Sequence, residues 1–237
     1  MDFKSYIHAH SEELLASLGA LVRIPSVEGE PEEGAPFGRE PARCLDEMLA
    51  LCEKLGFPTT NMDHRVGWCE FGEGEEMVAV LGHLDVVPAG DGWSESEPFS
   101  GEIKNGRIYG RGTMDDKGPA VGAVYALAAL KDAGVKLTRR IRILFGTSEE
   151  VGCNDIAWYV EHGGELPVIG FTPDAEYPVI NGEKGIIDAT YVKTLHQTGA
   201  YRLLKLEGGT ASNISPAHAV AEIACPADAA AKIAADK

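Results

Sequence analysis

The run MVAVLGHLDVV, residues 77–87, reads as a strand apolar enough to be buried on both faces, with His83 and Asp85 at its end. Side chains two apart on a strand share a face, so His83 and Asp85 point the same way as long as the chain stays extended. Working outward, VGWCEFG (66–72), RRIRILFG (139–146) and PVIGF (167–171) are further strands. They alternate with helix-spaced segments at 44–55, 116–134 and 153–164. Strands alternating with helices predict an α/β fold: a mostly parallel sheet flanked by helices. Upstream, residues 2–22 carry apolar side chains at helical spacing up to Pro25, and EPEEGAPFG (30–38) and residues 88–112, rich in Gly and Pro, read as loops.

From about residue 186 the composition shifts. IIDATYVKTL (186–195) and YRLLKLEGG (201–209) look strand-like, and SPAHAVAEIACP (215–226) and PADAAAKIAADK (226–237) look helix-like. The expected organisation is a first domain over 1–185 and the beginning of a smaller α+β unit over 186–237.

Open α/β sheets bind ligands at the carboxyl ends of their strands. Four predicted strands end in acidic or histidine-bearing turns: His83-Leu84-Asp85, Asp115-Asp116 in GRGTMDDKGP (110–119), Glu149-Glu150 in TSEE (147–150), and Asp174. Each has an ordinary reading: a surface histidine beside a hydrogen-bonded neighbour, a helix N-cap, an acidic first turn. Together they put one imidazole and several carboxylates on one rim, a donor set suited to Zn²⁺ or Mn²⁺.

Bulk properties narrow the classes. Of 237 residues, 37 are Asp or Glu against 21 Lys or Arg, a formal charge of −16, which leaves no basic patch for nucleic acid. No apolar run nears the roughly 20 residues of a membrane span, so no membrane association is expected. The five cysteines form no C-x-x-C pair and read as reduced, small buried side chains, and MDFKSYIHAHSEE lacks a signal peptide's apolar centre. A cytoplasmic protein is expected.

GHLDVVPAGDGW (82–93), GRIYGRGTMDDKGP (106–119), FGTSEEVGCND (145–155) and FTPDAEYPVINGEKG (171–185) resemble the co-catalytic zinc peptidase family of aminoacylases, desuccinylases, glutamate carboxypeptidases and carnosinase-type dipeptidases. TPDAEYPV followed by EKG is most similar to the bacterial Xaa-His dipeptidases of the PepV kind. The resemblance implies two zinc ions, with Mn²⁺ or Co²⁺ as alternatives, and hydrolysis of dipeptides by a water activated between them. It makes His83 and Asp174 ligands of one ion, Asp115 a bridge and Glu150 a ligand of the other. It makes Glu149 the general base and Asp85 the group that fixes the His83 imidazole through its other nitrogen. It also implies a cis peptide between Asp115 and Asp116. The reverse assignment of Glu149 and Glu150 is open on the residues themselves.

In GGTASNISP (208–216), Asn213 matches a lid asparagine that binds substrate in the family; an Asx turn is the plain alternative. The family supplies a further zinc-binding histidine, and a lid histidine and arginine, from more C-terminal sequence. His218, expected on a helix surface, does not match that ligand. Low or no turnover is therefore expected of these 237 residues alone. The implied partners are a dipeptide or small N-acyl amino acid and, in the full-length form, a second copy in a homodimer through the lid where the family dimerises. Two other readings stand beside the dipeptidase: an N-acyl amino-acid deacylase or desuccinylase, and a non-catalytic metal-binding fragment.

Overall fold

The computed structural model describes residues 2–175, 180, 182, 185, 187, 189–209, 216 and 218–229. Its contacts divide the chain into two units, 1–180 and 181–237.

The first unit opens with α1 (Phe3–Ala9) and α2 (Ser11–Val22), where the spacing predicts one continuous run. His10 separates them with a non-helical backbone. α3 (Arg39–Lys54) follows, and then a five-stranded sheet in the order β1-β2-β6-β3-β7: β1 (Thr59–Met62), β2 (Val66–Phe71), β3 (Met77–His83), β6 (Arg140–Gly146) and β7 (Ile169–Phe171). A hairpin of β4 (Glu102–Lys104) and β5 (Arg107–Tyr109) fills the glycine-rich excursion, and α4 (Lys117–Asp132) and α5 (Asn154–Glu161) complete the unit. β3 pairs in parallel with both β6 and β7, β2 runs against β6, and β1 runs against β2. Four of the five strands therefore point one way, as the α/β pattern predicts. β1 escapes sequence reading because TTNM is polar and half exposed, with no alternation to mark it.

The central strands β3 and β6 are largely buried because they carry apolar side chains at odd and even positions alike. Val80, Ile143 and Phe145 point into a large core with Leu21, Leu45, Leu49, Val121 and Val124, drawn from α2, α3 and α4. Ala79, Met77 and Leu144 point the other way, against Tyr159 and Ile156 of α5. Alternation along a strand makes this sorting obligatory once both faces are covered. Leu45 is completely buried and lies over Gly67 of β2. Leu45→Ala should cost about 2–5 kcal/mol of stability, measurable as a lowered urea midpoint with an unchanged slope.

In the second unit β8 (Arg202–Gly208) lies in the predicted strand. The described residues of IIDATYVKTL have no regular secondary structure. SPAHAVAEIACP is not a helix: it contains β9 (Ala219–Ala224), paired antiparallel with β8 from Arg202↔Ala224 to Gly208↔Ala219. Alanine favours helix intrinsically, but so short a helix is marginal without packing, and β8 offers its backbone groups a full set of partners. His218 is therefore an exposed residue just before a strand. Of PADAAAKIAADK, residues 227–229 are helical and most of the remainder lies outside the described residues, as does Asn213.

Candidate metal centre

Parallel pairing brings the ends of β3, β6 and β7 to one edge of the sheet, and His83 at the end of β3 stands opposite Gly146 at the end of β6. The turn after β6 carries Glu149 and Glu150, and Asp174 follows β7. Asp115 and Asp116 do not end a strand of this sheet, contrary to the sequence expectation. They precede α4, whose N-terminus points them at the same edge. The Asp115–Asp116 peptide is cis.

His83 is 2% exposed and is gripped from three sides. Its backbone N–H donates to Asp116 Oδ2 at 3.1 Å. Its Nδ1 lies 3.0 Å from the Asp85 carbonyl oxygen and 3.4 Å from Asp85 Oδ1. Its Nε2 faces Asp115 Oδ1 at 3.0 Å, Asp174 Oδ2 at 3.4 Å and Glu149 Oε2 at 3.9 Å. Asp116 occupies the N-cap position of α4, yet its carboxylate bonds the strand end rather than the helix. Gly82 makes room for it, since a Cβ there would come within 2.6 Å of Asp116 Oδ2.

Asp85 is fully buried, and its two carboxylate oxygens accept the backbone N–H groups of Glu149 at 3.1 Å and Glu150 at 3.0 Å. One residue thus orients both the imidazole and the pair of glutamates. Two groups of potential ligand atoms, each mutually within 4.8 Å, share His83: one with Glu149 and Asp174, the other with Asp115 and Glu150. Consecutive glutamates are sent to different groups. A cleft of about 190 Å³ adjoins the first, lined by His83, Glu149, Asp174, Cys153, Ile156 and Thr172 among others.

Electrostatics make this a site that requires positive charge. If Nδ1 carries the proton it donates to Asp85, then Nε2 is an acceptor facing carboxylate oxygens that are also acceptors. Only a proton or a cation between them reconciles that geometry. Burial alone would lower the His83 pKa, but the hydrogen bonds to Asp115 and Asp85 and the charges of Asp85 and Asp116 reverse it and raise it to about 11. Asp115 is held below the usual carboxylate range, first by its bond to His83. Burial, reinforced by neighbouring carboxylates, pushes Glu149, Glu150 and Asp174 upward, and Asp116 up to about 7. One imidazole nitrogen among at least four carboxylates is a donor set that fits a divalent cation of the borderline kind. Sequence reasoning missed Asp155, which bonds the Glu149–Glu150 turn from below; its position next to a helix start reads as an ordinary helix-terminal acid.

The five-stranded α/β sheet thus carries a histidine–carboxylate rim at its strand ends that could hold metal ions. The chain belongs to peptidase family M20/M25/M40, whose model matches residues 79–235. It is 46% identical over 192 residues to the "Putative dipeptidase YtjP" of Bacillus subtilis (strain 168), covering 80% of this chain and 41% of that protein. It is 39% identical over 238 residues to the "Beta-Ala-Xaa dipeptidase" of Lactobacillus delbrueckii subsp. lactis, covering 99% and 50%. The chain thus spans half or less of the length of these relatives. Among solved structures it resembles human carnosine dipeptidase 1 in fold, with a TM-score of 0.63, 24% identity, and coverage of 74% of this chain and 41% of that one. The M20 family metallo-carboxypeptidase Sso-CP2 from Sulfolobus solfataricus matches with a TM-score of 0.58 at 26% identity, covering 69% and 37%. Among the described residues no helix is long and apolar enough to cross a membrane.

Proposed function

We propose that the protein is a metal-dependent dipeptidase in which Glu149 is the general base. The observation that carries the metal-dependent reading is the gathering of Glu149 with Asp174 and of Glu150 with Asp115 around the shared His83, with Asp85 fixing the backbone amides of both glutamates. The role of base falls to Glu149 by the resemblance to the peptidase family. His83, Asp174, Asp115 and Glu150 would hold two zinc ions, with Mn²⁺ or Co²⁺ as alternatives, and Asp115 would lie between them. When bound, such ions polarise a scissile carbonyl and lower the pKa of a water between them.

The chain's own residues do the rest. Asp85 holds the imidazole of His83 so that Nε2 faces Asp115 and Asp174, with which it would hold a cation. Glu149, with a side chain 43% exposed at the cleft, is free to take a proton from the attacking water and return it to the departing amine. Burial pushes its carboxyl upward, as it does that of Glu150. Glu150 lies beside Asp115 and serves as a ligand. Asn213 is proposed as a substrate contact on the matching of GGTASNISP alone. The names of the relatives support dipeptides as substrates, and five free cysteines support a reducing compartment such as the cytoplasm.

The substrate assignment is tested with a protein containing these residues, loaded with Zn²⁺ or Co²⁺ and offered dipeptides with a free amino terminus beside N-acetyl and N-succinyl amino acids. Dipeptides should be cleaved at least roughly tenfold faster in kcat/KM, a difference of about 1.4 kcal/mol in transition-state binding. Faster cleavage of the acylated compounds would make the protein a deacylase. Metal uptake without turnover of either class would make it a binding module.

A further inference from the structure

The turn that presents Glu149 and Glu150 has no regular secondary structure of its own, yet four consecutive backbone N–H groups in it are fixed. Thr147 and Ser148 donate to Asp155 Oδ2 at 2.6 and 3.0 Å, and Glu149 and Glu150 donate to the two oxygens of Asp85 at 3.1 and 3.0 Å. Both acceptors are fully buried carboxylates. Asp155 lies in the first turn of α5, and its Oδ1 accepts the N–H of Ile156 at 2.7 Å. An acid that served only the helix end would use that side alone. Its other oxygen is turned away from the helix and takes two amides at the end of β6.

Gly146 makes this possible. Its φ is not positive, so glycine is not there for backbone freedom. A Cβ at that position would come within 2.3 Å of Asp155 Oδ2 and 3.3 Å of its Cγ. The space left by the missing side chain is the space the carboxylate occupies.

We propose that Asp155 is a positioning residue for the metal centre: seated on Gly146, it fixes the first half of the 147–150 turn, and Asp85 fixes the second, so that Glu149 and Glu150 enter the two different groups of ligand atoms around His83. This rests on the metal-centre reading above. Carboxylate acceptance of backbone N–H groups is charge-assisted and directional, so losing it frees the turn without removing any ligand. Groups that orient ligands in this way typically contribute 10–100-fold to metal affinity.

The test is titration of the apo-protein with Zn²⁺ and, for the visible spectrum, with Co²⁺. The chains compared are the unsubstituted protein, Asp155→Asn, Gly146→Ala and the double variant, with Leu45→Ala as a control that lowers stability away from the site. Asp155→Asn keeps size but sets an amide NH₂ among backbone donors; Gly146→Ala keeps the carboxylate but displaces it. Each should weaken Zn²⁺ binding about 10–100-fold and alter the Co²⁺ spectrum, with far-UV circular dichroism retained. If Asp155→Asn does not fold, Gly146→Ala carries the test.

The double variant should lose less than the product of the single losses, because the glycine acts by way of the aspartate. Leu45→Ala should leave affinity and spectrum unchanged. Wild-type affinity and spectrum in both single variants would overturn the inference alone, as would an equal loss in Leu45→Ala or fully multiplicative losses in the double variant. Failure of the unsubstituted protein to bind Zn²⁺ or Co²⁺ would overturn the metal-centre reading and this inference with it.

Discussion

His83→Ala should strip the protein of its divalent metal, lowering affinity by more than roughly 100-fold, beyond the loss expected from disturbing a group that merely orients a ligand. His83 is the residue common to both groups of candidate ligands and the nitrogen donor in each. Its imidazole is held by Asp85 on one side and faces Asp115 and Asp174 on the other, so no rotation of a neighbour can replace it. Removal also leaves these carboxylates turned toward one another with neither proton nor cation between them. The measurement is metal content after dialysis against a weak chelator, with circular dichroism to confirm the fold. Retention of the wild-type number of equivalents would remove His83 from the metal centre and, with it, the basis of the proposed chemistry.

Glu149→Gln should separate chemistry from binding. The substitution keeps the shape and the backbone N–H bond to Asp85 but ends proton transfer at that side chain. A positioned general base contributes about 10²–10⁴-fold to the rate, so dipeptide turnover should fall by that factor relative to the unsubstituted protein, mainly in kcat, with metal content close to normal. Glu150→Gln should do the reverse and lower metal content first. If instead Glu149→Gln lost metal and Glu150→Gln kept it while abolishing turnover, the two roles would have to be exchanged. The residues in TSEE leave this choice open, and in the folded chain each glutamate joins His83 and one aspartate; the roles proposed for the pair follow from the resemblance to the peptidase family.

Much of the fold was legible in the sequence because burial on two faces writes itself directly into composition. MVAVLGH has no polar face to offer, and it is the strand paired in parallel on both sides. α4 and α5 follow from helical spacing of apolar residues. Two features were not legible. β1 is short and polar, so nothing in TTNM distinguishes it from a loop; only pairing with β2 makes it a strand. AVAEIA reads as helix by propensity, and only the available backbone of β8 decides otherwise.

At the site, residue types were determined by the sequence: a histidine, an acidic pair, two glutamates and an aspartate at predictable turns suffice to propose a metal. The partnership was decided in space. Asp115 arrives from the start of a helix rather than from a strand of the sheet, and Asp116 looks like an N-cap but holds the backbone of His83. Asp155 looks like a helix-terminal acid but holds the end of β6. In each case the local pattern is the same whether the carboxylate bonds its own helix or reaches across. The outcome depends on whether a glycine on the neighbouring strand, Gly82 or Gly146, leaves room for it. Hydrophobic period is a local property and survives in the sequence; which donor a buried carboxylate meets is a property of two segments brought together, and only the folded chain specifies it.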